Sequence, residues 1–308
     1  MHELRGEPLR ATDGRPTALH GLLREAQQQS GRTQLEGSVF ITGCSTGIGR
    51  ETALRFRDRG IKVAATARKP ETLAGEESEN LAAIECDVNS TDSVEAAVAE
   101  AEKRLGPIEV VVNNAGYGQP GPVEEVTEEE IRAQFETNVF GVHRVIRTTV
   151  PRLRDVGGGK VINVSSVAGR ISTPFLGVYS ASKFAVEAMS DSLRVELRPF
   201  GIKVVVIEPG PIKTEFESKA RNASDRFLDT KSDSAYAEYL GSGERGNDAL
   251  QRFSLGPDAV AKVILRAATS KSPRSRYTVT LPATAGAIAA RLVPDSVMDF
   301  AMARATGL

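Results

Sequence analysis

The sequence predicts a single α/β domain, a doubly wound parallel sheet with helices on both faces. Short apolar runs rich in β-branched residues alternate with amphipathic stretches between Ser38 and Leu281. Several of those runs are apolar throughout, as strands are when helices cover both faces of a sheet. A glycine-rich turn separates the first run from the first amphipathic stretch.

The first strand is Val39-Phe40-Ile41, ending at Thr42-Gly43. A helix follows over Ile48–Arg59, where Ile48, Ala53, Leu54 and Phe56 sit among charges and Gly60 ends the turn. Strands are expected at Ile61–Ala65, Leu81–Cys86, Ile108–Val112, Val161–Val164 and Val204–Ile207. Between them lie helices at Val94–Leu105, Ile131–Leu153 and Tyr179–Arg198, the second closed by Gly157-Gly158-Gly159. A helix over Asp258–Ala268, a last strand over Tyr277–Leu281 and a helix over Ala283–Val293 complete the pattern. That last helix packs on the domain or on a partner subunit.

Two stretches stand outside this alternation. Residues 1–36 form a polar extension, poorly ordered by expectation, although Leu19, Leu22 and Leu23 make one apolar face of a short helix. Helices that short are marginal alone in water. Residues 213–255 are polar but carry Phe216, Phe227, Tyr236, Tyr239, Leu240 and Phe253. So long an excursion with an apolar underside suits a substrate lid. The α/β domain is therefore drawn over residues 37–308, lid included.

Bulk composition narrows the function. The chain has 308 residues, 40% of them hydrophobic, enough for one sizeable core. Lys and Arg number 39 against 40 Asp and Glu, so nothing pulls it toward nucleic acid or anionic lipid. No signal-peptide core and no apolar run of membrane-spanning length is present in the sequence. Cys44 and Cys86 have no metal-binding spacing, which suits reduced thiols and a cytoplasmic location. No metal site is expected.

The turn reads Thr42-Gly43-Cys44-Ser45-Thr46-Gly47-Ile48-Gly49. Glycines there let backbone N–H groups approach a pyrophosphate at a helix N-terminus. The same residues also match G-x-S-x-G, the nucleophile turn of α/β-hydrolases. A hydrolase needs a later acid and histidine; only His143 follows Ser45, in the middle of an expected helix.

Tyr179 and Lys183 are four residues apart on one expected helix and share a face. A free tyrosine, with a pKa of about 10, is ionised in roughly one molecule per thousand at pH 7. Bringing it to about 7 takes roughly 4 kcal/mol of phenolate stabilisation, toward which the ammonium of Lys183 can contribute.

The glycine turn, Asn113-Asn114-Ala115-Gly116, Asn138, Ser166, Tyr179-Ser180-Ala181-Ser182-Lys183 and Pro209-Gly210 occur in this order. In that combination, from about Val39 to about Leu281, the chain resembles the short-chain dehydrogenase/reductase family. The resemblance implies a Rossmann fold and a metal-free hydride transfer between a nicotinamide and an alcohol or carbonyl. It implies Tyr179 as acid/base and Lys183 on the cofactor ribose, lowering the Tyr179 pKa. It implies Ser166, thirteen residues before Tyr179, on the substrate oxygen, and Asn138 holding a proton-relay water. Gly43, Ser45, Thr46, Gly47, Ile48 and Gly49 would hold the phosphates. Asp87 and Val88 would touch the adenine, and Asn113, Asn114, Ala115 and Gly116 would line the cofactor. Pro209, Gly210, Ile212 and Thr214 would hold the nicotinamide end. Within the family, Ile207–Thr214 and Ala65–Arg68 look most like the hydroxysteroid and retinol dehydrogenase branch, which implies a bulky apolar substrate. A non-catalytic, NADP-binding protein on the same fold is the alternative, but such proteins commonly lose the tyrosine or the lysine. The expected assembly is a homodimer or homotetramer.

NADP is expected over NAD. An acid at the end of the second strand would accept the ribose 2′-hydroxyl. Here that strand runs out at Ala67-Arg68-Lys69, with no acid before Glu71, and Arg68 can grip a 2′-phosphate.

Overall fold

The computed structural model describes residues 35–214, 234–239 and 253–308. The N-terminal extension through residue 34 and most of the expected lid lie outside the described residues. The described part is built on one parallel sheet. Its strands are β1 (Ser38–Ile41), β2 (Val63–Ala67), β3 (Leu81–Glu85), β4 (Ile108–Asn113), β5 (Gly159–Val164), β6 (Ile202–Glu208) and β7 (Arg276–Thr278). They run in the order β3-β2-β1-β4-β5-β6-β7. The order reverses between β1 and β4, which opens a crevice beyond the strand ends where ligands of such sheets bind.

Alternation along each strand sends its side chains to two separate cores. Phe40, Val111 and Val161 point to the face covered by α2 (Thr91–Leu105), α4 (Val142–Asp155) and α5 (Gly177–Glu196). Val39, Ile41, Val110 and Ile162 point to the face covered by α1 (Gly47–Arg57) and α6 (Pro257–Thr269). Burial on both faces is why the strands read as unbroken apolar runs.

Several boundaries move from their expected places. β2 lies two residues later than Ile61–Ala65, because the Ile61 N–H still closes α1 on the Phe56 carbonyl. β3 ends at Glu85, which places Asp87 and Val88 in the following loop. The stretch expected as one helix over Ile131–Leu153 is α3 (Glu128–Phe135), a π-helical turn (Glu136–Gly141) and α4. Periodicity alone does not reveal a widened turn, since the apolar face continues through it. β7 stops at Thr278, because Thr280 instead caps α7 (Leu281–Leu292), its hydroxyl accepting from the Ala283 N–H at 3.2 Å. α7 packs on the domain through buried Ala283 and through Gly286, which lies against Val167 and Ile171. A final helix, α8 (Asp295–Thr306), was not expected; it has no buried residue and hence no apolar face to betray it.

Candidate active site

The crevice is floored by the turn after β1. Gly43 has φ +72°, a left-handed conformation natural to glycine, and a methyl there would stand 2.8 Å from the Ala115 Cα. At Gly49 a methyl would meet the Gly43 carbonyl oxygen at 2.3 Å, so the turn closes only around a hydrogen. Thr46 caps α1 with extended backbone and no side-chain hydrogen bond, and the first turn holds no acid. The amide ends of α1 therefore face the crevice uncompensated, a cradle that fits the pyrophosphate of a dinucleotide. Ser45 and Ile48 are half-buried along it, and the Thr214 Cβ lies 3.5 Å from where a Gly47 methyl would be.

The turn is pinned to β4 by side chains. The Thr42 hydroxyl accepts from the N–H groups of Asn114 and Ala115, each at 3.0 Å. Asn114 Nδ2 donates back to the carbonyls of Thr42 at 2.9 Å and Gly43 at 3.0 Å. Asn114 thus shapes the cofactor floor with its side chain committed to backbone. Asn113 points the other way, donating to Asn163 Oδ1 at 2.8 Å inside the sheet. Thr42 was legible only as part of the turn; its bracing role requires knowing that β4 lies beside β1.

At the far end of β2, Ala67 is buried and Arg68 and Lys69 are exposed. Among the described residues neither makes a side-chain hydrogen bond or ion pair. Asp87 Oδ1 accepts from the Asn89 N–H at 3.0 Å, while Val88 packs on Gly141.

The other wall carries the reactive side chains. Tyr179 and Lys183 are both buried on the first turns of α5. Lys183 Nζ donates to the Val164 carbonyl at 3.0 Å and stands 5.8 Å from the Tyr179 ring centre. Burial pushes the Tyr179 phenol up to about 12, and a hydrogen bond with Ser166 pulls it back. Burial lowers Lys183 to about 8, opposed by the negative charge of Glu187. Ser166 is extended backbone after β5; its Oγ accepts from the Ala168 N–H at 3.1 Å, while neighbouring Ser165 is buried beneath Gly169. Pro209 accepts from the Val167 N–H at 2.9 Å, and Gly210 backs onto Thr280. Ile212 is buried and pairs with Leu255.

Asn138 sits inside the π-helical turn. Its Oδ1 accepts from the Tyr117 N–H at 3.1 Å, and its Nδ2 donates to the Tyr117 carbonyl at 2.9 Å and to Ser182 Oγ at 3.1 Å. A methyl on Gly116 would stand 2.9 Å from Asn138 Oδ1 and 3.7 Å from Lys183 Nζ. The glycine turn, Asn114 to Gly116, Asn138, Ser166, Tyr179 and Lys183 are thus brought together, while Arg68 and Asp87 make no hydrogen bond or ion pair with them among the described residues. His143, by contrast, is exposed on α4, where no partner of the Ser45 hydrolase reading is placed. Phe175 adopts φ +64° without being glycine, its carbonyl accepting from the Gly121 N–H at 2.8 Å and its ring edge-on to Tyr236 at 6.0 Å. Glu187 lies one turn beyond Lys183, a spacing visible in the sequence but not read as meaningful.

The profile of the short chain dehydrogenases matches residues 38–225. The chain belongs to the short-chain dehydrogenase/reductase family. This enzyme is thus an oxidoreductase acting on CH–OH groups with a nicotinamide dinucleotide, and its Rossmann sheet is the family fold. It is 39% identical to the uncharacterized oxidoreductase YbbO of Escherichia coli K12 over 86% of this chain and 93% of that one. It is 36% identical to an NADPH-dependent 3-dehydrocapnine reductase of Ornithobacterium rhinotracheale, over 85% and 94% of the two chains. A 3-ketodihydrosphingosine reductase of Bacteroides thetaiotaomicron is 35% identical over 86% and 96%. Among solved structures, a Burkholderia cenocepacia short chain dehydrogenase in complex with NADP superposes with TM-score 0.68 at 26% identity, covering 87% and 98%. A Brucella melitensis 3-ketoacyl-(acyl-carrier-protein) reductase complexed with NADH does so with TM-score 0.65, also at 26% identity, covering 79% and 96%. The same fold thus holds NADP in one of these neighbours and NADH in the other. No helix of the described residues is long and apolar enough to cross a membrane.

Proposed function

We propose that the enzyme uses NADP(H) to interconvert a bulky, largely apolar ketone or aldehyde and its alcohol, with Tyr179 as acid/base. The observation that carries this reading is the buried Tyr179 phenol, hydrogen-bonded to Ser166 and close to Lys183, beside the glycine cradle. When bound, the nicotinamide gives or takes the hydride. The protein does the rest with protons and position. A phenol raised to about 12 is neutral at pH 7 and ready to donate. The alkoxide formed from a ketone is more basic still, so transfer from Tyr179 Oη runs downhill. The phenolate left behind is stabilised by the Ser166 hydroxyl and by the Lys183 ammonium. Lys183, lowered to about 8, is still mostly protonated at pH 7. Asn138 keeps the wall of the crevice fixed between Tyr117 and Ser182, which serves the relay assigned to it. The non-catalytic alternative has no observation in its favour.

Arg68 supports NADP. It is exposed at the end of β2, its charge is not spent on any described residue, and buried Ala67 takes the place of a ribose-binding acid. The names of two relatives, a 3-dehydro and a 3-keto reductase, support reduction of an oxo group, and Phe175, just before Tyr179 in the chain and ring-paired with Tyr236, suits an apolar substrate. The test is NADPH and NADH oxidation over ketones and aldehydes of graded chain length. We expect kcat/KM to favour NADPH at least about tenfold, or roughly 1.4 kcal/mol, and to rise with chain length. Equal values for the two cofactors would remove Arg68 from phosphate recognition. Ala67→Asp with Arg68→Ala should reverse the preference, adding repulsion and removing attraction together.

A further inference from the structure

Behind the reactive wall lies a buried group of charges that the reaction itself does not use. Glu187 on α5 is one helical turn beyond Lys183, and Glu208 ends β6 immediately before Pro209. Arg276 opens β7, and Arg170 follows the short helical turn that starts at Ser166. Arg276 donates through Nε and Nη2 to Glu187 Oε2, both at 3.1 Å, and through Nη2 to Asp191 at 2.6 Å. Its Nε also stands 3.2 Å from Glu208 Oε1, a contact of charges, since the single Nε proton is aimed at Glu187. Arg170 lies 4.0 Å from Glu187 and 3.9 Å from Glu208. Both glutamates are almost wholly excluded from solvent, with 7% and 3% of their side chains exposed.

Such a group is costly to bury and weak as a stabiliser in itself, because desolvation offsets attraction. Its placement is what matters. Each member belongs to a segment that presents one part of the site: Ser166, Tyr179 with Lys183, or the Pro209-Gly210 turn. Arg276 ties the second and third of these to β7 through Glu187 and Glu208, Arg170 brings the first to the same two carboxylates, and Thr280, two residues beyond β7, backs Gly210.

We propose that the Glu187–Arg276–Glu208–Arg170 cluster is the positioning device of the catalytic wall, with Glu187 setting the charge felt by Lys183. This rests on the assignment of Tyr179 and Lys183 as the reactive pair. The charged and titratable groups around Lys183 are Tyr179 and Glu187 on its own helix, with Asp191 one turn further. Arg170 comes from the segment after β5, Glu208 from β6 and Arg276 from β7. The π-helical turn presents neutral Asn138. Glu187, one turn along the same helix, is therefore a compensating anion, and its charge holds Lys183 up against the depression caused by burial.

The experiment follows Lys183 itself. The holoenzyme with NADP+ is labelled with 15N-lysine, and the Nζ signal is assigned by its loss in Lys183→Met. Glu187→Gln should lower the Lys183 titration midpoint by at least about half a pH unit, and Arg276→Gln should raise it. Glu187→Asp, which keeps the charge, should leave the midpoint within about 0.2 units while lowering kcat more than it raises the KM for NADPH. Opposite signs distinguish a charge-setting role from a merely structural one, which would move both variants the same way. The proposal is overturned if Glu187→Gln and Arg276→Gln shift the midpoint in the same direction or not at all. Should Glu187→Gln fail to fold, Glu208→Gln takes its place under the same rule of signs. Failure of the catalytic assignment shows elsewhere: Tyr179→Phe would then keep its turnover whatever Lys183 does.

Discussion

The two walls of the crevice are made from different materials. The cofactor wall, from β1 to the start of α1, is mostly backbone: glycines at van der Waals limits, uncapped amides, and carbonyls braced by Asn114. The catalytic wall, from β5 to β7, is made of buried side chains: a phenol, an ammonium and an ion cluster. The first wall cannot tolerate an added atom, and the second cannot tolerate a removed one. A dinucleotide phosphate needs close approach and many N–H donors, which backbone supplies. Proton transfer needs tuned acidity, which only side chains have.

The largest effect should come from removing an atom. Tyr179→Phe loses one oxygen, and kcat should fall 10²–10⁴-fold, the usual worth of general acid–base catalysis. NADPH affinity, measured by fluorescence titration, should stay within about twofold, since the phenolic proton matters only at the reacting centre. A Phe variant that keeps more than about a tenth of its kcat would break the comparison on its catalytic side.

The converse is an added atom on the other wall. Gly49→Ala brings a methyl to 2.3 Å from the Gly43 carbonyl oxygen, where neither group is free to move aside. We expect the Kd for NADPH to rise at least tenfold, about 1.4 kcal/mol, with the melting temperature also lowered. Unchanged affinity would mean that the turn has more freedom than its contacts suggest.

A smaller effect separates stability from activity. Lys183 is held at about 8 in the folded chain against an ordinary 10.5. The folded state therefore binds its proton less readily than the unfolded state does. That costs stability at every pH below about 8, and the cost is relieved as the pH rises toward 10.5. Lys183→Met should abolish turnover yet unfold later than the parent at pH 7. The gain should be about 1–2 kcal/mol, because the lost bond to the Val164 carbonyl offsets part of the relief. Urea denaturation at pH 7 and pH 10 should show the gain shrinking at the higher pH; a gain that grows with pH would reverse the sign.

The smallest effect concerns Cys44 and Cys86, both buried, with burial pushing the thiols up to about 12 and about 11. Only thiolates react with disulfide reagents. Labelling of the native enzyme should be far slower than in denaturant, with activity intact after brief exposure. Rapid loss of activity would show that the cofactor wall opens on that timescale.

The same division explains what the sequence could and could not disclose. The cofactor wall was readable because its demands are local: glycines between a strand and a helix let backbone amides approach a phosphate, and the rival hydrolase reading of the same turn lacked a histidine in place. Tyr179 and Lys183 were readable for the same reason, since four residues on a helix fix a shared face. Asn138 was recognised, but the widened turn that holds it was not, because the apolar face runs on through the helix. The long-range supports of both walls were invisible. Arg276 and Glu187 are 89 residues apart and Thr42 and Asn114 are 72 apart, so each pair exists only once the strand order is known. The missed α8 has a simpler reason, a helix without a buried face leaving no periodic mark.

Where the chain leaves the sheet after β6, Ile212 pairs with Leu255 as a single parallel bridge. The Lys213 N–H donates to the Leu255 carbonyl at 2.9 Å, and the Leu255 N–H to Pro211 at 3.3 Å. Everything between those residues thus begins and ends at one knot. Closing a loop costs only about 0.6 kcal/mol for each doubling of its length. The junction thus sets the two ends side by side, and the loop-closure cost to the sheet of a longer or shorter connection between them is small.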